Sequence, residues 1–235
     1  ITMPGRAGRT ITINSFTADI AKVPMNASGE VSVYDDRLGL DIKAGIDSCR
    51  VSDILKGLVV NIIPEAKNIT TDAIIDFNAT AIGDYVFGED RLPSITASFR
   101  VPSSGISYKG IPGRVGLELA VDASTDTEGR LNVDNIRAGI EAKGTELKVK
   151  GSISDLFCDD PKIHVDGNMD VLLDSLATMI PDTLGVSANG TILAQLKGGM
   201  HLSQMDMYRF SDADIIGSVT AQDINISAPK DTLKA

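Results

Sequence analysis

Ile95-Thr96-Ala97-Ser98-Phe99-Arg100-Val101 and Val115-Gly116-Leu117-Glu118-Leu119-Ala120-Val121 decide the fold. In each run, apolar side chains recur at every second position, the period of a strand with one buried and one wetted face. The same alternation appears in Phe16-Thr17-Ala18-Asp19-Ile20, Leu38-Gly39-Leu40-Asp41-Ile42 and Ile136-Arg137-Ala138-Gly139-Ile140. Between the runs lie turn-forming clusters: Ala27-Ser28-Gly29, Asp35-Asp36, Thr127-Glu128-Gly129 and Asp166-Gly167-Asn168. The chain is therefore expected to be mainly antiparallel β.

Two stretches switch to helical spacing. One carries Ile54, Leu55, Leu58, Val59, Ile62 and Ile63, with Ser52 as N-cap and Pro64 as stop, predicting a helix near 52–63. The other carries Leu172, Leu173, Leu176, Met179 and Ile180 before Pro181, predicting a helix near 171–180 that opens at Asp170. Superposing them exposes an internal repeat. Ser28-Gly29-Glu30-Val31-Ser32, Asp35-Asp36, Leu38 to Ile42 and the first helix match Lys150-Gly151-Ser152-Ile153-Ser154, Asp159-Asp160, Ile163 to Val165 and the second. The period is about 120 residues, longer than common solenoid units. Two related units are expected, residues 1–120 and 121–235, each a twisted antiparallel sheet with one short helix.

Composition limits the chemistry. The 235 residues are 43% hydrophobic and 23% charged, the balance of a folded chain rather than a disordered one. The formal charge of −10 repels phosphate backbones and anionic headgroups alike, and 4% aromatic residues without Trp supply no base-stacking platform, so neither nucleic acid binding nor flat electrostatic adsorption to a membrane is expected. No apolar run reaches the ~18 to 20 residues of a spanning helix. The start at Ile1 without a leader reads as a segment of a longer protein.

Catalytic and metal signatures are missing. His164 and His201 have no spaced partners, and with Cys49 and Cys158 they form no zinc pattern. No P-loop, dinucleotide-binding glycine motif or nucleophile elbow occurs, and Gly105 to Gly110 is expected in a loop. Asp35-Asp36, Asp159-Asp160 and Glu89-Asp90 suit turns better than a carboxylate dyad or calcium loop. Catalytic residues, cofactor and metal are each expected to be none, and the chain is not expected to be an enzyme. Asn26, Asn68, Asn78, Asn189 and Asn225 stand in glycan-acceptor sequons that equally suit exposed strands and turns. Cys49 and Cys158 fit either one disulfide or two free thiols.

What remains is an aliphatic strand face with two destinations: a second sheet that closes a dry core, or an open trough for something greasy. The residues expected to contact lipid are Ile95, Ala97, Phe99 and Val101 with Val115, Leu117, Leu119 and Val121. The helix stripes Ile54, Leu58, Ile62 and Leu172, Leu176, Met179 would fill the trough or gate it. The alternatives are a closed-core β-sandwich scaffold or adhesin-type interaction module, and, more remotely, a hydrolase using Asp35, Asp36, Asp159 and Asp160.

Thr12 to Ile54, with Phe16-Thr17-Ala18, Lys22-Val23-Pro24-Met25-Asn26 and Gly29-Glu30-Val31, resembles the AsmA-like family, relatives of TamB. So do Val149 to Leu156, Asp159-Asp160-Pro161, Val165 to Asp170, and the tail Ala213 to Ile224 with Ser227 to Leu233. The resemblance implies a periplasmic location with an inner-membrane anchor outside this segment, phospholipid or another acyl-chain lipid as partner, envelope proteins as further partners, and a role in outer-membrane biogenesis. It brings no catalytic residues.

Overall fold

The computed structural model describes residues 8–20, 22–180, 182–205 and 212–227. Its strands form one twelve-stranded antiparallel sheet. In chain order they are β1 (Arg9–Ile20), β2 (Val23–Val33), β3 (Arg37–Arg50), β4 (Ile69–Thr71), β5 (Ile74–Val86) and β6 (Ser94–Tyr108). Then follow β7 (Val115–Thr125), β8 (Leu131–Ala142), β9 (Thr145–Ser154), β10 (Lys162–Leu172), β11 (Ser187–His201) and β12 (Asp214–Ser227). Neighbours in the chain are neighbours in the sheet, except that short β4 pairs the end of β6 beside β5. The expected mainly β architecture is what forms. The boundary expected near residue 120 falls inside β7, and the β6–β7 and β7–β8 ladders run through it.

The sheet is open. The path from β1 to β12 holds eleven strands, each antiparallel to the next, so the two edge strands point the same way. Closing the sheet on itself would require a parallel β1–β12 pair inside an otherwise antiparallel ladder.

Both helical segments interrupt hairpins and lie at the same end of the sheet, because β3 and β10 run in the same direction. The first comprises α1 (Val51–Ile54), a π-helical turn at Leu55–Val59, α2 (Val60–Ile62) and a 3₁₀ turn at Pro64–Asn68. The expected N-cap moves by two residues: Arg50 takes that position without a side-chain capping bond, because β3 runs as far as Arg50. The second segment, α3 (Leu173–Ala177), is shorter than expected. Asp170 and Leu172 belong to β10, where pairing with β9 and β11 overrides the helical spacing. Pro181 lies outside the described residues.

Three expected loops are strand instead. Ala27-Ser28-Gly29 lies within β2, Asp166-Gly167-Asn168 within β10, and Gly105 to Tyr108 within β6. Gly29 shows why. Its φ is +135°, and a Cβ there would stand 1.9 Å from the Asp41 carbonyl oxygen of β3. The glycine serves a close backbone approach inside a ladder rather than a reversal of the chain.

The interior is thin. The buried apolar residues are Cys49, Ala66, Ala73, Val101, Val133, Ala142, Val171 and Met200, and no large side chain among the described residues is fully enclosed. A second sheet across the first would bury far more.

Candidate functional site

Register assigns every strand residue to a face, since directly paired residues point to the same side. One transverse row links Ala18, Met25, Ile46, Phe77, Phe99 and Val121 through successive pairs of the first six path strands. It continues through Ile136, Gly151, Val165, Gly198 and Ile215 to the far edge. All eleven positions are apolar or glycine. One residue over, the row Thr17, Asn26, Gly45, Asn78, Ser98, Asp122 and Asn135 holds the opposite face, and apart from Gly45 it is polar. The sheet therefore carries one continuous aliphatic face across its full width.

All eight expected contact residues lie on that face. Phe99 stands opposite Val121, Val101 opposite Leu119, and Ala97 opposite Ala123, while Ile95 pairs with Ala81 of β5. A bulge between Val101 and Ser104 lets β7 continue its alternation, so Leu117 and Val115 meet Ser104 and Ile106 on the same side. Val101 is buried and the other seven are half-buried.

The most apolar hollow in the face lies further along. Leu147, Val149, Val165, Met169, Ala194, Leu196 and Val219, from β9 to β12, line an open depression of about 360 Å³. Its floor is notched by Gly167 and Gly217, which flank Leu196 in the ladder and leave its side chain without lateral neighbours. Leu147-Lys148-Val149-Lys150, a strict apolar–lysine alternation, marks β9 as a one-faced strand but not the hollow beside it.

The helices sit beside the end of the face. α1 packs against β3 and β4, and α3 against β10 and β11. Ile54, Leu176 and Met179 are half-buried, Leu172 sits at the edge of exposure and Ile62 projects outward. The Leu58 side chain lies outside the described residues. Met179 closes against the β6–β7 loop: a Cβ on Gly113 would stand 3.3 Å from its methyl carbon.

The polar face is held by charge pairs. Arg100 donates to the Asp122 carboxylate and, at 2.8 Å, to the Val121 carbonyl. The Arg100 hydrogen bond, joined by one from Asn135 Nδ2 at 3.1 Å, holds the Asp122 carboxyl below the ordinary carboxylate range. Asp72 is lowered likewise by the Gly105 backbone N–H at 2.7 Å and then by Arg114. Asp126 accepts the N–H groups of Arg130 and Glu128, each at 2.9 Å, which fixes the β7–β8 turn and lowers its carboxyl.

Among the described residues, no grouping of His, Cys, Asp and Glu is arranged to hold a metal. His164 is exposed on the polar face opposite Ser152 and Gly199. His201 Nδ1 lies 3.2 Å from the Asp160 carbonyl oxygen and 3.6 Å from its carboxylate. The same carboxylate accepts the Ser203 N–H at 2.8 Å and hydroxyl at 2.9 Å. A hydroxyl activated by imidazole would donate to the ring; here it donates to the carboxylate, which anchors the 3₁₀ turn Leu202–Met205. Asp35 and Asp36 occupy the β2–β3 turn, where the Asp36 carbonyl accepts the Phe87 N–H at 2.9 Å. Cys49 and Cys158 are both free, Cys49 buried at the helical end and Cys158 exposed at the other.

No helix among the described residues is long and apolar enough to cross a membrane. Comparison with protein-family models, curated proteins and solved structures returned no match.

Proposed function

We propose that this chain is a non-enzymatic lipid-handling segment, and that acyl chains lie against the aliphatic face with their headgroups at its rim. The observation that carries this reading is the transverse row from Ala18 to Ile215, eleven paired positions without one polar side chain, on a sheet with no second layer among the described residues. Such a surface is costly to leave in water. Each methylene moved onto it contributes about 0.8 kcal/mol, so even partial cover of a dozen methylenes contributes on the order of 5 kcal/mol before ordering costs. The open hollow around Leu196 and Val219 offers the most apolar seat for one chain. Its lining is predominantly apolar, with Asn168, Gln195 and Ser218 as the polar residues along it, which suits lipids that differ in headgroup. Together with the AsmA-like resemblance, this supports a place in the periplasm, with an inner-membrane anchor elsewhere in the protein and a part in outer-membrane biogenesis.

The test is organic extraction of the purified chain beside a mock purification, read by mass spectrometry. Near-stoichiometric phospholipid is expected, and Phe99→Asp, Leu117→Asp and Leu196→Asp are each expected to reduce it in a chain that keeps its β-type circular dichroism. A clean extract from folded protein would overturn the reading in favour of a scaffold or interaction module.

A further inference from the structure

The two edges of the sheet are finished differently. β1 carries a bulge between Ile13 and Phe16 at its middle, with Arg9 and Asp19 near its ends, features that turn an edge away from further pairing. The irregularity in β12 comes late, between Gln222 and Asn225, where Asp223 takes a φ of +52°. Asp214 to Gln222 are therefore nine consecutive ladder positions without bulge, lysine or proline. Of the fourteen residues in β12, only Ile215 is not exposed.

Direction and face together select what fits this edge. The two edge strands point the same way, so a second copy added by translation would set its β1 parallel to β12, inside an otherwise antiparallel ladder. Turning that copy over would make the pair antiparallel but bring its polar face beside the aliphatic one. Half a turn about the sheet normal avoids both faults: β12 meets β12 of the second copy antiparallel, and the aliphatic faces stay on one side. Among the registers that keep the faces matched, the one centred on Ser218 pairs all nine regular positions and leaves the Asp223 bulge outside. It sets Asp214 opposite Gln222, Ile215 opposite Ala221, Ile216 opposite Thr220 and Gly217 opposite Val219. No like charges meet, and Val219, 74% exposed, stands beside the notch at Gly217.

We infer that β12 pairs antiparallel with β12 of a second copy around Ser218, joining two sheets into one with a common aliphatic face. The second copy also completes the hollow. Gly167, Leu196 and Gly217 form one transverse row. Across the axis that row continues through Val219, Ala194, Met169 and Leu147 of the second copy, which are paired in that order within each chain. Two open depressions thereby become one apolar trough that crosses the two-fold axis. The pairing rests on strand geometry and not on the lipid reading, for which the trough is a consequence. A single nine-residue ladder, about 30 Å long, is a small interface, so association in the micromolar range is expected.

The test is sedimentation velocity of the purified chain across the micromolar range, with cysteine cross-linking to read the register. The mass is expected to approach twice that of the monomer and go no further, because a two-fold pair uses up the edge. Val219→Lys, in a chain with unchanged circular dichroism, is expected to weaken the dimer by about tenfold or more, since symmetry makes the change count twice. Ile11→Lys on β1 is expected to dimerise as wild type. In a Cys158→Ser background, Ser218→Cys is expected to oxidise to a linked dimer and Thr220→Cys is not, because only position 218 faces itself across the axis. Wild-type protein that stays monomeric at every concentration would overturn the inference and leave β12 to a strand of a different protein. Growth beyond the dimer, or loss of the dimer in Ile11→Lys, would show that β1 takes part and overturn the two-fold pairing. A cross-link through Thr220→Cys in place of Ser218→Cys would overturn the register.

Discussion

Arg100 on β6 reaches diagonally across the ladder to Asp122 on β7, on the face opposite the one where Phe99 meets Val121. A one-residue step thus changes a charge pair into an aliphatic pair. A register slip by one residue would place arginine among the aliphatics and phenylalanine in water, so the two pairs together specify the β6–β7 alignment.

The Asp122 carboxyl is depressed in the folded state, chiefly by the Arg100 hydrogen bond, so its contribution to stability is present above its ordinary value of 3.8 and is lost as pH falls through the folded value. The two side chains remain 40% and 37% exposed, and screening keeps the contribution within about 0–1 kcal/mol. Asp122→Asn is expected to melt below wild type at neutral pH, with the gap shrinking in strong acid. A gap independent of pH, in melts followed by circular dichroism, would show that shape rather than charge is responsible.

Cys49 is buried, and burial, reinforced by Asp53 and Asp19, raises its thiol above the ordinary value, whereas Cys158 is exposed. Iodoacetamide is expected to label Cys158 in the native protein and Cys49 only after denaturation, because thiolate and access are both needed. Peptide mass spectrometry reads the two sites separately. Rapid native labelling of Cys49 would mean that the end of β3 opens readily.

Edge strand β12 exposes Val219 at 74% on the aliphatic side and Ile216 at 78% on the other, and its fourteen residues contain neither lysine nor proline. Such an edge is a template for further pairing. Light scattering coupled to size exclusion is expected to show mass rising with concentration, and Val219→Lys with Ile216→Lys is expected to suppress the rise. A concentration-independent monomer in both proteins would show that the edge is already protected.

The strands were legible because alternation is the direct imprint of one-sided burial. Ile95 to Val101 and Val115 to Val121 occupy β6 and β7 as read. The same alternation is produced whether the aliphatic face meets a second sheet or none, so the single layer was not legible. Gly29 and Gly167 misled for a related reason: glycine marks close backbone approach and surface notches as well as turns, and only pairing tells these apart. The hollow at Leu196 escaped notice because it depends on what is missing at Gly167 and Gly217 on neighbouring strands, which no local pattern records.

The odd number of strands in the sheet path makes the hairpin a unit of length. Each added pair of antiparallel strands would extend the aliphatic face by about 9.6 Å, twice the strand spacing, without altering its chemistry or its open edges. Reach is therefore adjustable by duplication alone. The matched helical hairpins β3–β5 and β10–β11 are what a molecule lengthened in that way would carry as its growth rings.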